Sequence, residues 1–318
     1  MQRILLLGRT GQVGYELQRL LALDTQLIAP GRDEADLQQP ESLRARLREW
    51  RPEVIVNAAA YTAVDAAEKE EALAHTINAD APRVLAQEAA QLGALLVHYS
   101  TDYVFDGTGR EPYREDDPVA PASAYGRTKL AGEQAIRDSG CRHLILRTSW
   151  VYAPRGRNFV LTLLRLANER DELRVVADQV GSPTSARSLA VATVAVLERV
   201  GRQSIADNGG MGMPPYGLKR GESTCHATGA GVTSWHGFAE RIVERGAALG
   251  LCRKVPVRPI ATADYPTPAR RPAYSVLDNG RLLADWGIRL PAWEEALDEC
   301  LQAVRSGVGA ASAATGRA

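Results

Sequence analysis

Short apolar runs alternate with stretches of helical periodicity along the first half of the chain. Arg3–Leu7 reads as a strand, and behind it Val13, Leu17, Leu20 and Leu21 recur at helical spacing. Gln26–Ala29 reads as a second strand, ended by Pro30-Gly31. Ser42–Trp50 is helical, and Val54–Val56 follows Pro52 as a third strand. One long helix is expected from Glu70 to Leu92, stopped by Gly93. Leu95–Ser100 then gives a strand, Ser123–Asp138 a helix and His143–Arg147 another strand. This alternation predicts an α/β fold whose parallel sheet is covered on both faces.

The pattern changes past Trp150. Asn158–Asn168 and Arg187–Val200 look helical, with a short strand, Leu173–Val176, between them. Residues 209–222 hold five glycines and two prolines without periodicity and are expected to form a long, mobile loop. The proline-rich run from Asp264 to Pro272 must be extended or turned, and Trp293–Val304 suggests a last helix. The Gly/Ala/Ser-rich tail, residues 305–318, is expected to be disordered.

Composition narrows the function classes. Basic and acidic residues balance at 38 each over 318 residues, so no excess charge draws the chain to nucleic acid or to a membrane surface. No apolar run is long enough for a signal peptide or a membrane span. Cys141, Cys225, Cys252 and Cys300 are scattered, as are the five histidines, so neither a disulfide framework nor a metal site is predicted and the cytoplasm is the expected compartment.

Two constellations carry chemistry. Gly8, Gly11 and Gly14 lie between the first strand and the first helix, where glycines let a pyrophosphate approach the free N–H groups at the helix start. Beyond the second strand, Gly31-Arg32-Asp33 offers an arginine for the 2′-phosphate of NADP and an acid for the 2′-hydroxyl of NAD; Arg32, nearer the strand end, favours NADPH. The second constellation is Tyr125 with Lys129, one helical turn apart on one face. A nearby ammonium is expected to lower the phenol pKa, so that Tyr125 hands a proton to a carbonyl oxygen as hydride reaches its carbon. Thr101, in Ser100-Thr101-Asp102 at a strand end, supplies a hydroxyl to orient that oxygen.

With these residues in view, the chain resembles the extended short-chain dehydrogenase/reductase superfamily and, within it, the dTDP-4-dehydrorhamnose reductase family. The matching segments are GRTGQVG (8–14), VNAAAYTAVDAAE (56–68), HYSTDYVFDG (98–107), YGRTKLAGE (125–133), RTSWVYA (147–153), DQVGSPT (178–184) and YPTPARRP (265–272). The resemblance implies a Rossmann-type doubly wound parallel sheet with a smaller C-terminal substrate-binding domain. Residues 1–149, with returning segments from about 178–200, would form the NAD(P)-binding domain, and 150–304 would mainly bind substrate.

By the same resemblance, Gly11, Gln12 and Val13 would lie under the cofactor pyrophosphate, Asp36 and Leu37 near the adenine, and Ala60, Tyr61 and Thr62 along the cofactor. Tyr125 would donate the proton and Lys129 would grip the nicotinamide ribose, while Thr101, Asp102 and Trp150 would touch the sugar. Arg270 and Arg271 would meet the substrate diphosphate, since arginine forks suit phosphate oxygens. The implied reaction is reduction of dTDP-4-dehydro-L-rhamnose at C4 by NADPH, or NADH, to dTDP-L-rhamnose for surface polysaccharide. Some relatives dimerise through glutamate-bound magnesium; Glu16 matches one such position, Arg187 stands where a second acid is expected, and the state is left as monomer or homodimer. Two other readings stand beside this one: a non-catalytic, NADP-binding regulatory subunit like that of methionine adenosyltransferase, and another nucleotide-4-ketosugar reductase or epimerase.

Overall fold

A computed structural model describes residues 2–207 and 222–307 of the chain. β1 (Arg3–Leu7), α1 (Gln12–Leu21), β2 (Gln26–Ile28), α2 (Pro40–Trp50) and β3 (Val54–Asn57) follow the expected alternation. The expected single helix over 70–92 is corrected. A short α3 (Val64–Ala67) precedes α4 (Glu71–His75), a π-helical turn over Thr76–Asp80, and α5 (Ala81–Leu92), which Gly93 closes at φ +66°. The wider turn has a reason that apolar periodicity does not record. It carries Asn78, 1% exposed, whose amide receives the Tyr61 N–H at 2.9 Å and donates to the Tyr61 carbonyl at 3.1 Å. β4 (Leu95–Thr101), α6 (Ala124–Asp138) and β5 (His143–Thr148) complete this half. Ser123 caps α6, its hydroxyl accepting from the Gly126 N–H.

The second half runs β6 (Val151–Tyr152), α7 (Phe159–Glu169), β7 (Leu173–Val176), β8 (Val180–Gly181), β9 (Thr184–Ser185), α8 (Ala186–Asp207), β10 (Glu222–His226), β11 (Thr233–Ser234), α9 (Trp235–Ala248), β12 (Val257–Ile260), α10 (Gly280–Trp286) and α11 (Trp293–Arg305). β6, β8 to β12, α9 and α10 are additions to the sequence reading. The expected loop 209–222 lies outside the described residues except for Glu222, which begins β10. Of the expected tail, Arg305 closes α11 and is helical, Ser306 and Gly307 form a turn, and 308–318 lie outside the described residues.

The central sheet has six parallel strands in the order β10-β5-β4-β3-β1-β2. One face is covered by α1, α8 and α10 through Leu17, Leu21, Leu189, Leu197 and Trp286. The other is covered by α2, α5 and α6 through Leu43, Leu47, Leu85 and Ile136. A third apolar cluster, including Tyr152, Leu164, Phe238 and Leu297, lies under the second half. The chain leaves β1 to one side through β2 and to the other through β3, so the crevice beyond β1 and β3 is the switch point where such sheets bind ligands. Among the described residues no helix is long and apolar enough to cross a membrane.

Candidate functional site

The glycine turn fills the start of that crevice. Gly8 adopts φ +84°, and a Cβ there would stand 2.7 Å from the Ala58 carbonyl carbon at the end of β3. A Cβ on Gly14 would collide with the Gly8 carbonyl oxygen. The N-terminus of α1 is thereby drawn against the turn with its N–H groups unobstructed.

Two adjoining cavities run over the strand ends. One, of about 460 Å³, is bounded by Gly8, Gly31, Arg32, Asp36, Leu37 and Tyr61. The other, of about 590 Å³, is bounded by Gly11, Gln12, Val13, Tyr125, Lys129 and Thr148. Ala60 and Thr62 line both, so the sequence-predicted cofactor residues fall along one groove, with Gly14 packed beneath it. Arg32 stands at the rim, its side chain 69% exposed and its Nε 3.4 Å from Asp36 Oδ1.

Tyr125 and Lys129 reach the second cavity from α6. Lys129 is 1% exposed; its Nζ donates to the Tyr99 carbonyl at 2.6 Å and lies 3.0 Å from His98 Nε2, while Asn57 Nδ2 meets His98 Nδ1 at 3.1 Å. Burial, with the Lys129 charge beside it, holds His98 well below the usual imidazole range. Burial also lowers Lys129 to about 8, against the pull of nearby Glu133. The expectation that Lys129 depresses Tyr125 is corrected. Loss of water raises the phenol to about 12, the Thr101 hydrogen bond opposes this in part, and the Asp102 charge adds to it. Desolvation outweighs the ammonium one turn away, whose hydrogen bonds run to Tyr99 and His98.

Thr101 and Asp102 are buried beside the phenol, the Thr101 hydroxyl donating to Asp102 Oδ1 at 3.0 Å. Asp102 Oδ2 is buried without a partner. Burial pushes the Asp102 carboxyl up to about 6 from an ordinary 3.8, against hydrogen bonds from Ser275 and Thr101. A carboxyl whose pKa is raised by folding favours the native state below pH 4 and loses that contribution as pH rises through about 6. Asp102→Asn is therefore expected to stabilise the fold by roughly 1–3 kcal/mol at pH 7 and by much less at pH 4, read from denaturant unfolding at both.

Trp150 adopts φ +48°, stacks on Trp235 with ring centroids 3.6 Å apart, and packs so closely on Gly181 that a Cβ there would meet its ring at 2.6 Å. Arg271 gives one nitrogen to Asp65 Oδ2 at 2.6 Å, and its Nη1 is buried without a partner. With Arg270 it borders a third cavity of about 460 Å³, which also touches Asp106, Asp178 and Tyr265. Among the groove residues that sequence reasoning missed are Arg9, Asn57, Arg155 and Arg157. Arg155 stacks 3.7 Å above the Tyr15 ring, so the 153–158 segment overhangs the glycine turn. The only early signal was its run of arginines around Gly156.

Glu16 is 3% exposed and faces two cations, with Arg187 at 3.8 Å and Arg19 at 4.0 Å. That donor set does not fit magnesium, and no reaction step is assigned to a metal. Among the described residues no group of three His, Cys, Asp or Glu side chains is placed to hold one.

The family model of the RmlD substrate binding domain matches residues 1–306. The dTDP-4-dehydrorhamnose reductase of Burkholderia thailandensis is 49% identical over 306 residues, covering 94% of this chain and 98% of that protein. The crystal structure of a dTDP-4-dehydrorhamnose reductase from Clostridium acetobutylicum superposes with TM-score 0.85 at 37% identity, over 96% of this chain and all of that one. The Bacillus anthracis dTDP-4-dehydrorhamnose reductase in complex with NADP gives 0.83 at 34% identity, over 95% and 99%.

Proposed function

The chain belongs to the RmlD substrate binding domain family, and from that membership we infer its reaction. The protein is an NADPH-dependent oxidoreductase that reduces the C4 ketone of dTDP-4-dehydro-L-rhamnose to dTDP-L-rhamnose, NADH serving as well. It acts in dTDP-rhamnose supply for polysaccharide.

The observation that carries the assignment of roles is the placing of Tyr125 and Lys129 together on the wall of a groove that begins at the glycine turn. When bound there, the reduced nicotinamide supplies hydride to C4. Tyr125 gives its proton to the ketone oxygen, so that the alkoxide forms as a hydroxyl, and recovers a proton from solvent afterwards. Its pKa of about 12 suits it to hold that proton until charge develops on the oxygen. Thr101, hydrogen-bonded between Asp102 and the phenol, orients the ketone. Lys129, anchored by Tyr99, holds the nicotinamide ribose. Asp102 and Trp150 bound the sugar, and Arg271, with its unspent Nη1, faces the diphosphate together with Arg270.

Residues 1–149, with the returning strands and helices on the sheet, form the cofactor half of this reading. The 150–304 region, centred on the cluster around Tyr152 and Phe238, forms most of the substrate half. Four free cysteines among the described residues support a cytoplasmic site of action. The Arg187–Glu16 pair supports a monomer or a homodimer that needs no metal. The test is loss of nicotinamide absorbance with dTDP-4-dehydro-L-rhamnose, with product identification. Turnover to dTDP-L-rhamnose is expected with either dinucleotide, and cofactor binding without turnover would overturn the assignment.

A further inference from the structure

We propose that Arg9, rather than Arg32, is the residue by which this enzyme recognises the 2′-phosphate of NADPH. The proposal rests on the reading that the dinucleotide lies along the groove described above. Arg9 sits inside the glycine turn, and its Nη1 donates to the Ala29 carbonyl at 2.8 Å, which ties the guanidinium to the chain just beyond β2. Its Nη2 lies 3.4 Å from the point where a Cβ on Gly31 would stand. The head group is thus held over the Pro30-Gly31 corner, on the cavity wall shared with Arg32, Asp36 and Leu37. In a dinucleotide-binding sheet, the residues after the second strand meet the adenosine ribose.

Charge accounting separates the two arginines. Among the described residues Arg9 forms no close ion pair, and the nitrogens not bound to Ala29 remain for a ligand. Arg32 is mostly in water and its charge faces Asp36. A guanidinium already fixed by one hydrogen bond loses little freedom on gripping an anion, and its fork matches phosphate oxygens. An exposed, paired arginine gains little from the same contact. The Asp33 carboxylate also folds against Gly31, where it opposes a phosphate and accepts from a free 2′-hydroxyl. The corner therefore carries groups for both dinucleotides, and Arg9 sets the balance between them.

The experiment is direct titration of the purified full chain with NADPH and with NADH, by calorimetry, for wild type, Arg9→Ala, Arg9→Lys and Arg32→Ala. Arg9→Ala should weaken NADPH by about 10–100-fold, the worth of a charge-assisted hydrogen bond or two. NADH should change by less than about twofold, because it carries no 2′-phosphate for the fork to grip. Arg9→Lys should restore part of the NADPH affinity, and Arg32→Ala should alter either ligand by less than about threefold, as expected for an exposed charge. Equal weakening of both dinucleotides by Arg9→Ala, no effect on either, or a selective NADPH loss in Arg32→Ala would each overturn the proposal. Failure of the wild type to bind either dinucleotide would overturn the groove reading as well.

Discussion

Phenylalanine at position 125 should lower kcat by about 10²–10⁴-fold while leaving the Kd for NADPH within about twofold of wild type. The change removes one oxygen from a ring that packs edge-on to Tyr103 at 5.5 Å, so the wall of the cavity keeps its shape. What goes is the proton that balances hydride arrival, together with the partner of the Thr101 hydroxyl. Stopped-flow turnover beside equilibrium cofactor titration separates the two quantities. Near-wild-type turnover would move the proton donor elsewhere, with the buried carboxyl of Asp102, at about 6, the first to test. A parallel loss of cofactor affinity would mean that the substitution had distorted the groove.

The largest stability effect should come from Glu133→Ala, one helical turn beyond Lys129. Glu133 is fully buried; it accepts from Arg147 Nε at 2.9 Å and Nη2 at 2.7 Å, and from Arg137 at 2.6 Å. Burial pulls its carboxyl upward, yet the Arg147 fork and the Arg137 charge hold it below the ordinary value. The Arg147 side chain is itself 3% exposed. Removing the carboxylate strands a guanidinium inside the protein, which should cost about 3–5 kcal/mol in denaturant unfolding. Replacing both partners with apolar residues, Glu133→Leu with Arg147→Met, should recover most of that loss, since no buried guanidinium is then left alone. If the double variant were no more stable than Glu133→Ala, packing rather than charge would explain the damage.

How much of this was legible in the sequence depended on where each element's stability comes from. β1, β3, β4 and β5 each carry an unbroken apolar run, Ile4–Leu7, Val54–Val56, Leu95–Val97 and Leu144–Leu146, because both faces of the sheet are covered, and such runs read directly. β10, with the sequence Glu-Ser-Thr-Cys-His, has no such signature; it is a strand because β5 offers it a parallel edge. The Tyr125–Lys129 spacing put both side chains on one face of α6, where they line one cavity, but the direction of the Tyr125 shift depends on burial, which spacing does not encode. Arg9 went unread because the glycines around it drew the interpretation. Its role depends on Ala29, twenty residues away in sequence. For Arg271, a candidate anion ligand, the bond to Asp65 is a long-range pairing that spacing does not disclose.

The late arrival of β10 has a consequence for synthesis on the ribosome. The outermost strand of the sheet begins at Glu222, and Trp286, Ile288 and Leu290 fill the apolar layer on one of its faces. A nascent chain that has emerged only through β5 therefore presents an open strand edge and an uncapped hydrophobic surface, the conditions that favour mispairing between chains. Its cofactor half is contiguous in function but not in order of manufacture. Truncations that stop before residue 222 should accordingly aggregate rather than yield a small nucleotide-binding fragment, and chaperone demand during expression should fall only once the last two helices have been made.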